Sequence, residues 1–333
     1  MKVAFLANSF HLHTTKSADF FIDFLRGCFG TVNIIPHKEA WAELPGSKWD
    51  LVVAWQHRYS PRELESFRAD RVVLVPMYDD TPLSETFWKP YKNFKVLCFS
   101  STLARTLASY GLSTLGVRYF PDPHRLPLAT WNQGLRGFFW PRTEAVSWPV
   151  VKQLIGGARI ESMHIHWTPE IHHGEPAPFD EKMESLEVSS WFSDSDGYYS
   201  VLSRSNVFFA SRISEGIGMS FLEAMAMGLC VVAPDAPTMN EYIWSGRNGL
   251  LYDPALPEPL DFSRAADLGA RARSSCETGR QNWLKSLESV ARFLEEPIAG
   301  YKPRFHALVV AKGRGISAAR KVYRFMKRVK RRL

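Results

Sequence analysis

The sequence predicts an α/β protein made of two consecutive domains, each built on a parallel, doubly wound β-sheet. Three observations predict this fold class. Short apolar runs alternate with amphipathic stretches at a spacing typical of strands joined by crossover helices. The alternation stops at FPDPHRLP, residues 120–127, which contains three prolines, and then restarts. A chain of 333 residues is also long for one hydrophobic core.

The first half of the chain contains apolar runs that are short enough for buried strands, separated by stretches with helical periodicity. The predicted strands cover residues 3–7, 32–35, 51–55, 72–75, 96–99 and 116–120. The predicted helices cover residues 17–27, 61–68 and 102–110. We therefore expect a Rossmann-like domain at residues 1–122, and we assign it to the acceptor on the grounds given below.

The second half repeats the pattern. Its predicted strands cover residues 138–140, 162–166, 207–210, 230–233 and 249–252, and its predicted helices cover residues 147–155, 198–204, 220–227 and 280–294. A second Rossmann-like domain is expected at residues 123–300, followed by a tail at 301–333. Neither half carries GxGxxG after its first strand or GxxxxGK[ST], which argues against a dinucleotide-dependent dehydrogenase and a P-loop NTPase.

The charge of the chain is unevenly distributed. The net charge is +7, but residues 302–333 contain twelve Lys and Arg and no Asp or Glu, which leaves 29 basic and 34 acidic residues elsewhere. Within the tail, residues 312–333 place apolar side chains near one helical stripe and basic ones opposite, which favours an amphipathic helix on anionic lipid. Nucleic acid is the rival polyanion and a solvated tail the simplest alternative. Because the body shows no nucleic-acid recognition motif, we expect no nucleic-acid partner.

Cysteine usage and hydropathy bear on the compartment. The four cysteines have no CxxC spacing, which argues against a zinc site and a disulfide framework and suits a reducing compartment. No apolar run approaches the roughly 20 residues that span a bilayer. The first residues, MKVAFLANSF, read as a strand rather than a signal peptide. We expect a cytoplasmic protein that binds peripherally to the inner face of the cell membrane.

A strand, a loop and a helix follow one another in NVFFASRISEGIGMSFLEAMAMG, residues 206–228. In open parallel sheets, ligands bind beyond the carboxyl ends of the strands, where this loop falls. Its glycines allow close backbone approach, and the first amides of the helix suit a phosphate. Glu215 and Glu223 are poor phosphate ligands but good acceptors for sugar hydroxyls, so the group points to a nucleotide sugar. A core helix with an exposed Glu223 is the alternative, and the local pattern leaves both open.

The longer frame resembles glycosyltransferases of the GT-B fold, specifically the family 4 group with its E-x7-E motif. The match reads EGIGMSFLEAMAMGLCVVA at residues 215–233, then Thr238, Glu241 and SGRNGLLYDP at residues 245–254. The resemblance implies two Rossmann-like α/β/α domains whose parallel sheets face each other across a cleft. It also implies a retaining, metal-independent transfer in which the acceptor attacks from the face that the diphosphate leaves.

The resemblance also assigns roles to residues. Glu215 would reach the donor sugar, and Glu223 would hold the ribose hydroxyls. Amides at residues 218–220 would contact the diphosphate or the sugar. The expected catalytic residues are Glu215, Arg142 and His57. The expected donor-binding residues are Arg142, Lys152, Arg212, Glu215, Gly216, Ile217, Gly218, Met219, Ser220, Glu223 and Thr238.

One position departs from the pattern of the family. The family places an Arg, and a Lys five positions later, after the first strand of its second domain, where they neutralise the departing diphosphate. Here Arg142 occupies the Arg place, but Ser147 occupies the Lys place. Lys152 on the following helix and Arg212 in the motif loop are the candidate substitutes.

The acceptor side is predicted from residues that follow strands of the first domain. Gln56 and His57 follow one strand, and His11 and His13 follow the first. In the family a histidine commonly sits near the donor sugar in this region, and a surface histidine at a loop start is the alternative. The His11/His13 pair suggests a metal only weakly, because no third ligand is evident. SDSDG, residues 193–197, is more typical of a turn and N-cap than of a metal-binding DxD motif, so no metal or cofactor is expected.

Together these features predict a retaining glycosyltransferase. It would move a sugar from a nucleotide sugar to a lipid-linked or polysaccharide acceptor, in the synthesis of bacterial cell-surface glycans such as lipopolysaccharide, O-antigen or capsule. A GT-B protein that binds sugar nucleotides without efficient transfer, as a partner in a glycan-assembly complex, is the alternative. A polyanion-binding module acting through the basic tail is a more distant one.

Overall fold

The structure is a computed structural model, and it describes residues 1–56, 59–132, 134–169, 176–179, 185–192 and 194–298. The chain divides into two compact units. Among the described residues, the first contains residues 1–99, 103–117 and 286–298, and the second contains residues 100–102 and 118–285. In the described part of the chain, no helix is both long and apolar enough to cross a bilayer.

The first unit is built on a six-stranded parallel sheet. Its strands are β1 (Val3–Ala7), β2 (Val32–Pro36), β3 (Leu51–Trp55), β4 (Val72–Val75), β5 (Lys95–Cys98) and β6 (Ser113–Gly116), in the order β2-β1-β3-β4-β5-β6. Four of them, β1, β3, β4 and β5, are buried along their whole length, which explains their nearly continuous apolar sequences. The helices are α1 (Ser9–His13), α2 (Asp19–Phe29), α3 (Ala40–Glu43), α4 (Pro61–Ser66), α5 (Glu85–Trp88) and α6 (Ser101–Ser109). Helix α6 belongs to this unit from Leu103 onward.

The second unit is built on another six-stranded parallel sheet. Its strands are β7 (Leu135–Phe139), β8 (Ile160–His166), β9 (Leu186–Ser189), β10 (Val207–Phe209), β11 (Cys230–Pro234) and β12 (Leu250–Tyr252). They follow the order β12-β11-β10-β7-β8-β9, so the short strand β10 lies near the centre, between β7 and β11. The helices are α7 (Trp148–Ile155), α8 (Ser195–Arg204), α9 (Met219–Ala226) and α10 (Ala265–Glu295). Helix α10 belongs to this unit only as far as Lys285, and its residues from Ser286 belong to the first unit.

The predicted α/β class with parallel sheets is therefore confirmed. The short helices α1, α3 and α5 were not predicted, β7 begins earlier than expected, and β6, β9 and α10 also differ from the expectation. Strand β6 was expected at 116–120 but lies at Ser113–Gly116, where Ser113 pairs with Lys95 of β5. Strand β9 was not predicted, because its sequence, LEVS, lacks an apolar run. It is an edge strand in which two residues are exposed and two are partly buried. Helix α10 begins at Ala265 rather than near residue 280.

The first half of α10 contains Gly269, which weakens the helical pattern in the sequence but is needed for the packing of the helix. Glycine lowers intrinsic helix stability, so Gly269 argues against a helix there. In the structure, a Cβ at Gly269 would come within 2.3 Å of the carbonyl oxygen of Gly228. The glycine therefore permits α10 to approach the chain just after α9. This close packing outweighs the low helix propensity of glycine.

Candidate functional site

The loops after three neighbouring strands of the second unit lie at one edge of its sheet. Strand β10 pairs in parallel with β7, where Phe139 is level with Phe209, and with β11, where Val232 is level with Phe209. Parallel strands end at the same edge, which is where open α/β sheets bind ligands. The loop after β7 carries Arg142, the loop after β10 carries residues 211–218, and the loop after β11 carries Thr238.

Hydrogen bonds join these loops to one another. The Thr143 hydroxyl donates to the carbonyl oxygen of Ser211 at 3.5 Å, so the Arg142 segment is held against the Arg212 segment. The hydroxyl of the fully buried Thr238 donates to the backbone carbonyl of Glu215. Thr238 was predicted to contact the donor, and its hydroxyl here supports the backbone that carries Glu215.

The loop after β10 turns into helix α9 at Gly218, which has φ +79°. A Cβ at this position would lie 1.9 Å from Cε1 of Phe221, so both the backbone and the packing require glycine. Gly218 is the N-cap and makes no side-chain cap hydrogen bond. The first amides of a helix have no intrahelical acceptor, so those of Met219 and Ser220 are available to an anion. Glu215, Gly216 and Ile217 are buried beside this turn.

Glu223 lies one turn into α9, and its carboxyl is bound by a tyrosine of α8. The Tyr199 hydroxyl donates to Oε1 of Glu223 at 2.9 Å. Burial raises the pKa of Glu223 to about 7, although the hydrogen bond from Tyr199 acts in the opposite direction. Glu223 is only partly exposed, and its carboxyl is hydrogen-bonded to another helix, so the alternative in which it is simply exposed does not hold.

An aromatic cluster, which sequence reasoning missed, lines the ends of β7, β8 and β9. We define it as Trp140, His166, Trp191 and Phe192. The ring of Trp140 meets His166 edge-on, with centroids 4.7 Å apart, and Trp191, with centroids 5.7 Å apart. His166 stacks on Phe192, with centroids 4.9 Å apart and an interplanar angle of 13°. The guanidinium of Arg142 lies 4.8 Å from the Trp140 centroid, which connects the cluster to the predicted donor site.

His166 acts in this cluster as a neutral ring. Burial lowers its pKa to about 4, and the nearby His164 and Arg142 add to the effect. At neutral pH it therefore offers a flat aromatic face without charge. Trp191 is the exposed member of the cluster, with 49% of its surface accessible. The recurrence of aromatic residues just past the strand ends was the sequence signal that could have revealed the cluster.

The cation candidates occupy different environments. Arg142 and Arg212 lie on the two loops that Thr143 joins, and both are partly buried. Lys152 is exposed on α7, where it lines a surface pocket with Trp148, Pro149, Pro178 and Phe179. Ser147, in the place where the resembling family has Lys, is buried at the N-cap of α7.

The predicted acceptor residues belong to the first unit. Gln56 follows β3 with φ +52°, an uncommon conformation for a residue other than glycine, and its buried Oε1 has no hydrogen-bond partner among the described residues. His11 lies in α1 with its Nδ1 3.0 Å from the Ser17 hydroxyl, and His13 is exposed at the end of that helix. His57 lies outside the described residues.

The described residues contain no group of three His, Cys, Asp or Glu side chains placed to hold a metal ion. Asp194 caps α8, and its Oδ1 accepts from the amide of Gly197 at 2.8 Å. The N-cap interpretation of this segment is confirmed for Asp194.

Comparison with known proteins agrees with these observations. A family model described as Glycosyl transferases group 1 matches residues 187–267, which include the whole E-x7-E segment. No curated protein matches the sequence.

Several solved structures share the fold at low sequence identity. HepE of Anabaena, solved with UDP and glucose, is 14% identical, with a TM-score of 0.60 over 87% of this chain and 100% of its own. A glycosyltransferase from Rickettsia africae ESF-5 is 12% identical, with a TM-score of 0.62 over 90% and 99%. The lipopolysaccharide outer core galactosyltransferase WaaB, in its apo form, is 15% identical, with a TM-score of 0.54 over 96% and 100%. The chain therefore has the α/β fold of GT-B glycosyltransferases.

Gly218→Ala should destabilise the protein more than Gly246→Ala does. Both glycines have positive φ, +79° and +73°, but a Cβ at Gly246 would meet nothing within 4 Å, whereas one at Gly218 would overlap Phe221. Gly246→Ala should therefore lose only about 1–2 kcal/mol from its left-handed backbone. Thermal unfolding of the two variants measures the difference. Equal losses would show that the Phe221 ring moves aside without cost.

Proposed function

We propose that the protein is a retaining glycosyltransferase that uses a nucleotide-sugar donor. The observation that carries the proposal is the meeting of Glu215, Glu223 and the open helix N-terminus after Gly218 at one sheet edge. This arrangement pairs an anion site with carboxylates on either side of it. A nucleotide sugar has the same order of groups, with a diphosphate between a sugar and a ribose.

In this proposal the diphosphate lies at the N-terminus of α9. The amides of Met219 and Ser220 donate to its oxygens, and the positive end of the helix dipole favours its charge. Arg142 supplies a fixed cation, because its guanidinium rests on the Trp140 ring. Arg212 is the better substitute for the missing Lys, since its loop is bonded to the Arg142 loop, whereas Lys152 is exposed on α7.

The remaining donor groups fit the flanking side chains. Glu223 accepts hydrogen bonds from the ribose hydroxyls, and Glu215 contacts the sugar. The base stacks on the aromatic cluster, where the exposed face of Trp191 is the best placed ring. The Anabaena relative was solved with UDP and glucose, which supports a ligand of this class for the present chain.

Catalysis in this scheme is positioning and charge stabilisation. The acceptor hydroxyl attacks the anomeric carbon from the face that the diphosphate leaves, and the leaving oxygen is stabilised by Arg142, Arg212 and the helix amides. No protein nucleophile or metal ion takes part. Gln56, His57, His11 and His13 remain the proposed acceptor residues of the first unit, with His57 as a catalytic candidate.

We further propose that the acceptor is a glycolipid or growing polysaccharide at the cytoplasmic face of a bacterial membrane. The basic segment 312–333 lies outside the described residues, so this proposal rests on its sequence. Each Lys or Arg near an anionic surface contributes roughly 1 kcal/mol of attraction. A protein that glycosylates a lipid-anchored acceptor benefits from binding the same surface.

A second candidate function is nucleotide-sugar binding without efficient transfer. Ser147 motivates it, because a leaving diphosphate with one cation fewer is less stabilised. Turnover of a labelled donor separates the two candidates. Sustained release of nucleoside diphosphate by the wild-type protein eliminates the binding-only function.

Substitution of the two glutamates should have separable effects on ligand binding. Glu223→Ala should reduce the stabilisation by nucleoside diphosphates and by their sugars alike, because it removes the ribose contact. Glu215→Ala should reduce only the extra stabilisation that the sugar brings. Thermal shifts across a panel of nucleoside diphosphates and nucleotide sugars measure both effects, since a ligand of the native state raises its stability. Glu258→Ala, at an exposed site of the same unit, is the control. Unchanged shifts in both variants would disprove the site.

Trp191→Ala should weaken nucleoside diphosphate binding about tenfold, in keeping with roughly 1–3 kcal/mol for a base stacked on an aromatic ring. The control is Trp244→Ala, because Trp244 is similarly exposed at 52% but precedes β12 at the opposite sheet edge. Isothermal titration gives both affinities. Equal affinities for the two variants would place the base elsewhere.

Deletion of residues 312–333 should abolish binding to anionic vesicles and leave nucleotide affinity unchanged. The reason is that the segment carries ten of the basic residues and lies outside the proposed donor site. Co-sedimentation with phosphatidylglycerol vesicles at low and high salt tests the first effect, and zwitterionic vesicles provide the control. Loss of nucleotide binding on deletion would instead favour a polyanion-binding module.

A further inference from the structure

Three tyrosines lie near Glu223, and one of them contacts its carboxyl. Tyr199 of α8 donates its hydroxyl to Oε1 at 2.9 Å. The adjacent Tyr198 has a buried hydroxyl with no hydrogen-bond partner among the described residues. Burial raises the pKa of Tyr119, in the segment after β6, and the charge of the nearby Glu223 raises it further. Two consecutive tyrosines therefore lie near the same carboxyl, and one of them binds it.

The hydrogen bond from Tyr199 uses only one of the two carboxyl oxygens of Glu223. Oε1 accepts from Tyr199, and the described residues donate no hydrogen bond to Oε2. A glutamate side chain has several rotamers, and ordering it on ligand binding costs conformational entropy. A partner that already fixes one oxygen reduces that cost and directs the other oxygen.

We propose that Tyr199 is a positioning residue for the donor, because its hydroxyl fixes one oxygen of Glu223 and leaves the other to accept from a ribose hydroxyl. The inference rests on the proposed function, in which Glu223 binds the ribose. It goes beyond the E-x7-E motif, since Tyr199 belongs to another helix and lies 24 positions away.

The charge state of Glu223 depends on the same contact. Burial raises its pKa to about 7, and the Tyr199 hydrogen bond lowers it. Without that bond the carboxyl would be protonated over a wider range of pH, and a neutral carboxyl is a weaker acceptor. The ionisable groups around it are Tyr198 and Tyr199 from α8 and Tyr119 from the segment after β6. Burial raises the pKa of both Tyr198 and Tyr119. The charge of Arg142 opposes this increase at Tyr198, and the charge of Arg280 in α10 opposes it at Tyr119.

The test compares Tyr199→Phe with Tyr198→Phe in the full chain. The two substitutions are chemically identical and adjacent, but only the first removes a hydrogen bond to Glu223. Isothermal titration with UDP, GDP and ADP, and with the 2′-deoxy form of whichever binds, gives the preference for ribose. Tyr199→Phe should reduce that preference about tenfold, the value of one hydrogen bond to a charged group. Tyr198→Phe should retain it.

A ¹³C-carboxyl NMR titration supplies a readout that does not need a ligand. The Glu223 signal, assigned by its loss in Glu223→Gln, should titrate near pH 7 in the wild type. Its midpoint should move to higher pH in Tyr199→Phe and stay in place in Tyr198→Phe. An unchanged ribose preference and an unchanged midpoint in Tyr199→Phe would overturn the inference while leaving the proposed function intact. A wild-type protein that binds none of the three nucleotides would overturn both.

Discussion

The parallel pairing of β10 with β7 on one side and β11 on the other is the constraint on which the site depends. Because these strands run in one direction, three loops that are far apart in sequence emerge at the same edge. Arg142, Glu215 and Thr238 are neighbours for this reason alone. Hydrogen bonds between the loops, from Thr143 to Ser211 and from Thr238 to Glu215, then hold the loops in a fixed arrangement. A slip in the register of β10 would displace its loop relative to the other two.

The parts of the site that the sequence predicted are those encoded within a single segment. Glu215, Gly218 and Glu223 share one strand–loop–helix unit, so their spacing alone was informative. Tyr199 could not be predicted in this way, because its contact with Glu223 forms only when separate elements pack. The aromatic residues past the strand ends were visible in the sequence, but their contact with Arg142 was not. Strand β9 was missed because it is a partly exposed edge strand, and the first half of α10 was missed because Gly269 weakens the helical pattern.

Lys152 and Arg212, the two candidates for the role of the missing Lys, could likewise be told apart only in the folded structure. Sequence spacing makes Lys152 and Arg212 equally plausible, since each lies in the second domain near a motif. The structure separates them by environment, because Arg212 is partly buried on a loop bonded to the Arg142 loop, and Lys152 is exposed on α7. Ser147 meanwhile occupies the N-cap of α7 with an extended backbone, a position at which serine is common, although its side chain makes no cap hydrogen bond. The departure from the family pattern is therefore compatible with the local fold.

The contact between Gly218 and Phe221 makes these two positions interdependent in evolution. With the Phe221 ring in its present position, a Cβ at position 218 would overlap it at 1.9 Å, so a side chain there would force the ring to move. A smaller residue at 221 would relieve that overlap, but it would also leave a void in the buried core beside α9. Each change alone therefore has a cost, and a smaller residue at 221 would not remove the strain that the left-handed backbone imposes on a side chain at 218. The turn that presents the helix N-terminus is thus constrained twice, by its own backbone and by the ring that packs over it.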